Sequence, residues 1–313
     1  MRTPNWFLKR NFIAIALLPF SIIYWLVSKL VFISRLFRQK TSKRPARLRT
    51  AMARQVICIG NIMAGGVGKT PIVAEIAKYL KSPVVMRGYK GGDEAKMLQK
   101  AGIDVYVGDR VKNITKLNQK SEIINHKLPI IMDDGFQNPT IKKDISILVF
   151  DGKIGVGNGF LLPAGPLRET MCSGIKRADA VIIIGEQSLS TKIKKINSKI
   201  PIFYAGTETA KPVGAPRIFA FAGIGYPGKF FDALRTIRGI KGFMSRTFPD
   251  HHQYSERELI DMKKTADAQN MKLVTTAKDH VRLSPKWQKL VLVAPLTITI
   301  EPAFFKWLKE KVK

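Results

Sequence analysis

One stretch limits the possible folds of this 313-residue chain more than any other. An apolar run, QVICIG at 55–60, passes directly into Asn61-Ile-Met-Ala-Gly-Gly-Val-Gly-Lys-Thr70 and then into PIVAEIAKYL. The first run reads as a short buried strand and the last as a helix, with Pro71 in the first turn, where a missing N–H costs nothing. Strand, glycine loop and helix in that order let backbone N–H groups curl round phosphate oxygens. Gly65, Gly66 and Gly68 supply the backbone freedom, Lys69 would reach the outer phosphates, and Thr70 would place its hydroxyl on Mg²⁺. Asn61, Ala64, Val67 and Pro71 complete the expected nucleotide-binding set, so ATP and Mg²⁺ are the expected cofactors. The strict pattern asks for glycine where Met63 stands, which makes the loop a variant. The competing reading, a glycine-rich turn that binds nothing, is disfavoured by the strand before it and the helix after it.

A phosphate loop needs an acidic partner at the end of another buried strand, and LPIIMDD ends in Asp133 and Asp134. One of them is expected to orient metal-bound water opposite Thr70; an Asp-Gly hairpin turn would use the same residues. A second acidic pair, Asp93 and Glu94, follows RGYKGG, and in isolation a solvated loop explains it equally well. Apolar runs at 55–60, 83–86, 103–107, 129–133, 145–151 and 180–184 alternate with helical or loop segments. That alternation predicts an α/β, P-loop NTPase-type, doubly wound, mostly parallel sheet with its ligand at the carboxyl ends of the strands. RIFAFAGI, the helix-like stretch after Pro227, LVTTAKD and LVLVAP predict a smaller C-terminal α/β subdomain at 215–300. It would follow a nucleotide-binding core at 51–214 and precede an amphipathic terminal helix at 301–313.

Residues 1–50 form an expected membrane-associated segment. Phe12 to Ile33 is almost wholly apolar and as a helix would measure roughly 33 Å, long enough to span a bilayer. Pro19 interrupts it, Lys29 lies inside it, and Ser21, Ser28 and Arg35 recur on one narrow face, so an in-plane helix fits equally. A signal peptide fits poorly: the run is too long, no small-residue cleavage site follows, and the next stretch is basic. That stretch carries Arg38, Lys40, Lys43, Arg44, Arg47 and Arg49 without an acidic residue, each contributing about 1 kcal/mol near an anionic leaflet. Across the chain, 53 Lys and Arg face 23 Asp and Glu, a formal charge of +30 that points to polyanionic partners. Because the basic run abuts the apolar one, an anionic membrane surface is the expected partner and nucleic acid is not. Two cysteines, Cys58 and Cys172, have no metal-ligand spacing, and four scattered histidines suggest no zinc site.

The motifs GNIMAGGVGKTP, RGYKGG with GDE, MDDGFQN, DGKIGVGNGFLLPAGPLRE, FPDHH and LVTTAKD occur in the order seen in tetraacyldisaccharide 4'-kinases. The chain resembles that family over nearly its whole length, the N-terminal LLPFSIIYWLV included. The resemblance implies transfer of the γ-phosphoryl group of ATP to the 4'-hydroxyl of a tetraacylated glucosamine disaccharide 1-phosphate. The product is lipid IV-A, made at the cytoplasmic face of the bacterial inner membrane. By position, Lys69 and Thr70 match the P-loop pair, Asp93 matches the proposed catalytic base and His251 its partner. His251 is preferred to His252 because it directly follows Asp250. Asp133 and Asp134 match a metal-proximal pair and Glu169 an acidic active-site residue, giving with Thr70 an expected metal set. Arg87, Arg110, Gln137 and Arg168 are expected to face the substrate.

The chain departs from the family in two places: only Lys90 and Gly91 separate RGY from GDE, implying a truncated hairpin, and Ala95 stands where the family has proline. As FPDHH falls in the smaller subdomain, the Asp93–His251 contact is expected to cross an interdomain cleft whose closure completes the site. The alternative reading is a membrane-associated P-loop ATPase of the positioning or partitioning type; those loops carry an early lysine where this chain has Ala64.

Overall fold

The structure, a computed structural model, describes residues 4–41, 54–88, 92–124, 128–209 and 215–312. Lys43, Arg44, Arg47, Arg49, Lys90 and Gly91 lie outside the described residues, as do the side chains of Arg35, Arg38 and Lys40.

Among the described residues the strands are β1 (Val56–Gly60), β2 (Val84–Met86), β3 (Val105–Val107), β4 (Ile130–Asp133), β5 (Ile145–Asp151), β6 (Ala180–Ile184), β7 (Ile202–Thr209), β8 (Arg217–Ala222), β9 (Gly242–Thr247), β10 (Lys272–Thr275), β11 (Leu292–Val293) and β12 (Leu296–Ile300). They form an eight-stranded sheet ordered β12-β7-β6-β5-β1-β4-β2-β3 and a four-stranded sheet ordered β11-β10-β8-β9. β1 pairs in parallel with β4 on one side and β5 on the other. Every residue of β1, β4, β5 and β6 is buried, as expected of parallel strands covered on both faces. The doubly wound α/β architecture is therefore present. The glycine loop leaves the carboxyl end of the central strand β1, where the strand order reverses, which is the ligand position in such sheets.

Three strands fall outside the runs read from sequence. IFYAGTET (β7) loses its apolar character halfway, GFMSRT (β9) ends in exposed residues, and LTITI (β12) alternates, with three of its five residues exposed. Such half-covered strands lack the continuous apolar signal of buried ones. After β12 the helix Pro302–Lys311 buries Phe304, whose ring lies 5.3 Å from that of Phe203 on β7, while Trp307 lies 5.5 Å from Phe203. The terminal helix thus packs on the larger sheet.

The chain divides into two compact units, one made of Tyr89–Lys100 and Thr207–Thr299, the other of Pro4–Gly88, Ala101–Gly206 and Ile300–Lys313. The smaller unit has its own cores on the two faces of its sheet, with Phe221, Leu259, Met262 and Trp287 on one and Ala220, Phe231 and Leu234 on the other. Helix Asp93–Lys100 belongs to this unit although its sequence lies within the nucleotide-binding stretch. The expected cleft-crossing contact is thereby corrected: Asp93 and His251 sit in the same unit. Within that unit Asp93 pairs at 2.7 Å with Arg282.

The N-terminal run breaks where Pro19 requires. A short helix, Phe12–Ala16, is capped by Asn11 Oδ1, which accepts from the Ala14 amide at 3.0 Å. A second, Leu18–Thr41, begins with Pro19 in its first turn. Ala14 and Ser21 are buried and Leu17, Tyr24, Ser28 and Phe32 half-buried, a stripe at three- and four-residue spacing. Between these positions Phe20, Ile22, Ile23, Leu26 and Leu30 are all about half exposed or more. A helix at a water-facing surface turns its apolar face inward; this one turns a mixed stripe inward and leaves most of its large apolar residues out. Among the described residues no helix is long and apolar enough to cross a membrane.

Candidate active site

The glycine loop is open where a phosphate would sit. Gly65, Gly66 and Gly68 are exposed, and Gly68, at φ +78°, is the N-cap of the helix Lys69–Leu80 without a side-chain cap. The first amides of that helix are thus left for an anion, reinforced by the helix dipole. Gly68 needs its glycine: a side chain is strained at that φ, and its Cβ would lie 3.1 Å from Ile184. Val67 is buried at 2% exposure and anchors the loop. Met63 explains the variant pattern. It is 1% exposed, bridges to Leu167, and fills the core instead of leaving backbone open.

Lys69 Nζ donates to Asn61 Oδ1 at 3.2 Å and pairs with Asp134 Oδ1 at 2.9 Å. Arg168 Nη1 donates to both oxygens of Asp134 at 3.1 Å. Burial acts to raise the Asp134 pKa, but the two cations outweigh it and hold the carboxyl well below the usual range. Asp134 adopts φ +51°, an uncommon backbone for a non-glycine residue, and Arg110 Nη2 braces the turn by donating to the carbonyls of Asp133 at 2.7 Å and Asp134 at 3.1 Å. Gln137 Nε2 donates to the Asn61 carbonyl at 2.8 Å and to Glu169 Oε1 at 3.1 Å, and Arg177 takes the other Glu169 oxygen. Asn61 is fully buried, and its Nδ2 has no partner among the described residues, so it is one donor the fold leaves available at the loop.

Sequence-expected groups therefore meet, in roles partly different from those expected. Arg110, Gln137 and Arg168 direct donors to the Asp turn, to Asn61 or to Asp134, internal partners that spacing along the chain did not show. Arg87 alone of that group is exposed, and it makes no ion pair among the described residues. Both Glu169 oxygens accept hydrogen bonds, one from Gln137 and the other from Arg177. No cluster of three or more metal-ligating side chains exists among the described residues. A P-loop Mg²⁺ requires only one or two protein oxygens beside phosphate and water, and the Thr70 hydroxyl with an Asp133 or Asp134 carboxylate suits it. Cys58, on β1, takes no part: burial pushes its thiol up to about 12.

The segment GNGFLLPAGPLRE links the N-terminal helices to the loop. Ser21 Oγ donates to the Leu161 carbonyl at 2.9 Å and accepts from the Ala164 amide at 3.1 Å, and the Tyr24 hydroxyl donates to the Arg168 carbonyl at 3.3 Å. Further along, the Ala64 amide donates to the Pro166 carbonyl at 2.7 Å and the Arg168 amide to the Ile62 carbonyl at 2.8 Å. Asn158, 6% exposed, closes the segment by donating to Ala164. Gly165 is glycine because a Cβ there would stand 2.1 Å from Asn158 Oδ1.

In the smaller unit, Asp93 opens its helix with a side chain 2% exposed, and its Oδ2 lies 3.2 Å from His251 Nδ1. His251 holds φ +60°. The adjacent His252 is engaged elsewhere: its Nε2 meets both oxygens of Glu258 at 3.1 Å, and its ring stacks on Phe248 at 4.7 Å. Sequence reading missed Arg282 and Lys278, which reach Asp93 and His251 respectively. The available signal was two basic residues flanking the Asp of AKDHVR, one in the short helix Ala277–His280 and one in the turn that follows it.

The chain matches the family described as Tetraacyldisaccharide-1-P 4'-kinase over residues 13–313. A tetraacyldisaccharide 4'-kinase of Rhodopseudomonas palustris is 34% identical, covering 96% of this chain and 92% of that protein. One of Paramagnetospirillum magneticum is 34% identical over 95% and 94%. Among solved structures, LpxK from Aquifex aeolicus in complex with ATP matches with a TM-score of 0.66 at 24% identity over 96% of this chain and 99% of that one, a likeness of fold. With a phosphate loop in place on β1 and the family matched from one end of the chain to the other, this protein belongs to the tetraacyldisaccharide 4'-kinases, the kinases of lipid A biosynthesis.

Proposed function

We propose that this chain moves the γ-phosphoryl group of ATP to the 4'-hydroxyl of a tetraacylated glucosamine disaccharide 1-phosphate while docked on the anionic cytoplasmic face of the inner membrane. The observation that carries the lipid part is the outward-facing apolar helix, hydrogen-bonded through Ser21 and Tyr24 to the segment that also holds the phosphate loop. A substrate with four acyl chains stays in the bilayer, at about 0.8 kcal/mol per buried CH₂, so the enzyme has to come to it. Large apolar side chains on an exposed helix, followed by a basic stretch, suit that surface.

Phosphoryl transfer depends on positioning and charge neutralisation. The loop amides and Lys69 receive the nucleotide phosphates, and Lys69 exchanges Asp134 for phosphate oxygen when they arrive. Thr70 and one carboxylate of Asp133 or Asp134 would hold Mg²⁺, which when bound neutralises charge on the β- and γ-phosphates. Asp93 takes the proton of the attacking hydroxyl, and His251 holds Asp93 in place. Arg87 is the exposed cation open to an anionic part of the substrate. The P-loop ATPase alternative gives no role to the Asp93–His251 pair.

The test is an assay with Mg²⁺, γ-labelled ATP and tetraacyldisaccharide 1-phosphate in mixed micelles. Label in the lipid that disappears in Lys69→Ala and Asp93→Asn is the expected result. ATP hydrolysis without labelled lipid would move the assignment to the ATPase.

A further inference from the structure

Arg282 is a buried cation, its side chain 1% exposed. Nε donates to Asp93 Oδ2 at 2.7 Å, while Nη1 donates to Asp279 Oδ1 at 2.8 Å and to the Gly223 carbonyl at 2.9 Å. Asp279, fully buried, is itself fixed by the Tyr254 hydroxyl at 2.9 Å, the Thr276 hydroxyl at 2.7 Å and the Gly223 amide at 3.1 Å. A buried guanidinium is tolerated only where its acceptors are held in place. Arg282 is therefore confined to one geometry by Asp279 and Gly223, and it holds Asp93 in turn.

Four residues earlier, Lys278 Nζ lies 3.3 Å from His251 Nε2. An ammonium group can only donate, so Nε2 carries the lone pair and the ring proton resides on Nδ1, which donates to Asp93 Oδ2. Glu94 and Asp250, each 3.8 Å from Lys278, balance its charge, and Asp250 also lies 3.8 Å from His251 Nε2. Both donors to Asp93 thus converge on Oδ2. Oδ1 has no hydrogen-bond partner among the described residues.

We propose that Arg282 and Lys278 are positioning residues for phosphoryl transfer: Arg282 and the Nδ1–H of His251 together occupy Oδ2, leaving Oδ1 as the acceptor for the substrate proton, and Lys278 selects the histidine tautomer that allows it. This rests on the reading of Asp93 as the base. In the step itself, the hydroxyl oxygen bonds to the γ-phosphorus as the bond to the β–γ bridging oxygen breaks. ADP leaves with that electron pair, and the hydroxyl proton passes to Asp93 Oδ1. In a loose transition state the proton leaves late, so the direction of the carboxylate counts for more than its basicity. A purely structural Arg282 would need Asp279 and Gly223 but not Asp93.

The test compares kcat and KM for both substrates in Arg282→Lys, Lys278→Met, Asp93→Asn and the two double variants carrying Asp93→Asn. Each positioning variant alone is expected to lower kcat about tenfold with the KM for ATP unchanged. In the Asp93→Asn background neither should lower it further, because both act through Asp93. NMR of labelled histidine should find Nδ1 protonated in His251, and a mixture of tautomers in Lys278→Met. Where Arg282→Lys does not fold, Lys278→Met, whose wild-type side chain is 20% exposed, carries the test. Unchanged kcat in the positioning variants, an equal loss with and without Asp93, or an Nε2–H tautomer in the wild type would overturn the proposal. Full activity in Asp93→Asn would instead overturn the base assignment itself.

Discussion

Two carboxylates, one in each unit, the first partly and the second fully buried, are held in opposite ways. In the larger unit Asp134 meets Lys69 and Arg168, and both its oxygens are engaged. In the smaller unit Asp93 meets His251 and Arg282 through Oδ2 alone. In the proposed function, the first arrangement would keep a lysine charge in place until phosphate takes it over, and the second would leave an acceptor open for a proton. Each involves a non-glycine residue at positive φ, Asp134 itself and His251 beside Asp93. Backbone strain of that kind persists only where surrounding contacts over-determine it. The contrast lies in which oxygen of each paired carboxylate already has a partner.

The contrast is tested most severely at Lys69. Replacing it with alanine should lower phosphoryl transfer about 1,000-fold, read as labelled lipid formed per unit time; a loss of only a fewfold would mean that Asp134 is not holding this charge for phosphate. Asp93→Asn should lower kcat about 100-fold and leave nucleotide affinity, measured by calorimetry, unchanged. Weakened ATP binding in that variant would erase the division of labour between the two carboxylates.

A smaller effect concerns the outward-facing helix. Phe20→Glu combined with Ile23→Glu should weaken binding to anionic vesicles about tenfold or more, since each buried large apolar side chain contributes about 1.5–3 kcal/mol. Flotation measures it, and ATP affinity should stay the same. The least effect is expected beside the second histidine. Ser255 and Glu258 form a reciprocal capping box on the helix Glu256–Ala268, and Ser255→Ala should cost about 1 kcal/mol of stability without changing kcat. Burial acts to raise Glu258, but hydrogen bonds from Ser255 and His252 prevail and hold its carboxyl below the ordinary value. Its stabilisation is therefore complete above the unfolded value of about 4.3 and fades as pH falls through the lower native one. Thermal melts of wild type and Glu258→Gln should converge at acid pH, and a gap that widened there would reverse the sign.

The parallel core was legible because strands buried on both faces are continuous apolar runs, and β1, β4, β5 and β6 are of that kind. The edge strand β12 was not, since a strand with three exposed residues resembles a polar loop. The phosphate loop could be read because its residues are consecutive. Arg110 and Gln137 were recognisable as site residues, but not as braces of the Asp turn and of Asn61, because the carbonyls they hold come from distant parts of the chain.

What the sequence determined alone is what lies within one local stretch: the strand-loop-helix with Lys69 and Thr70, the break at Pro19, and the apolar run that precedes a basic one. Tertiary structure decided which unit Asp93 joins, which histidine faces it, and which of its oxygens stays open. Among the contacts involved is the one from Arg282, 189 residues away in the chain. Spacing along the backbone carries no record of such a contact, whereas the need to pair a buried charge imposes it once the chain is folded.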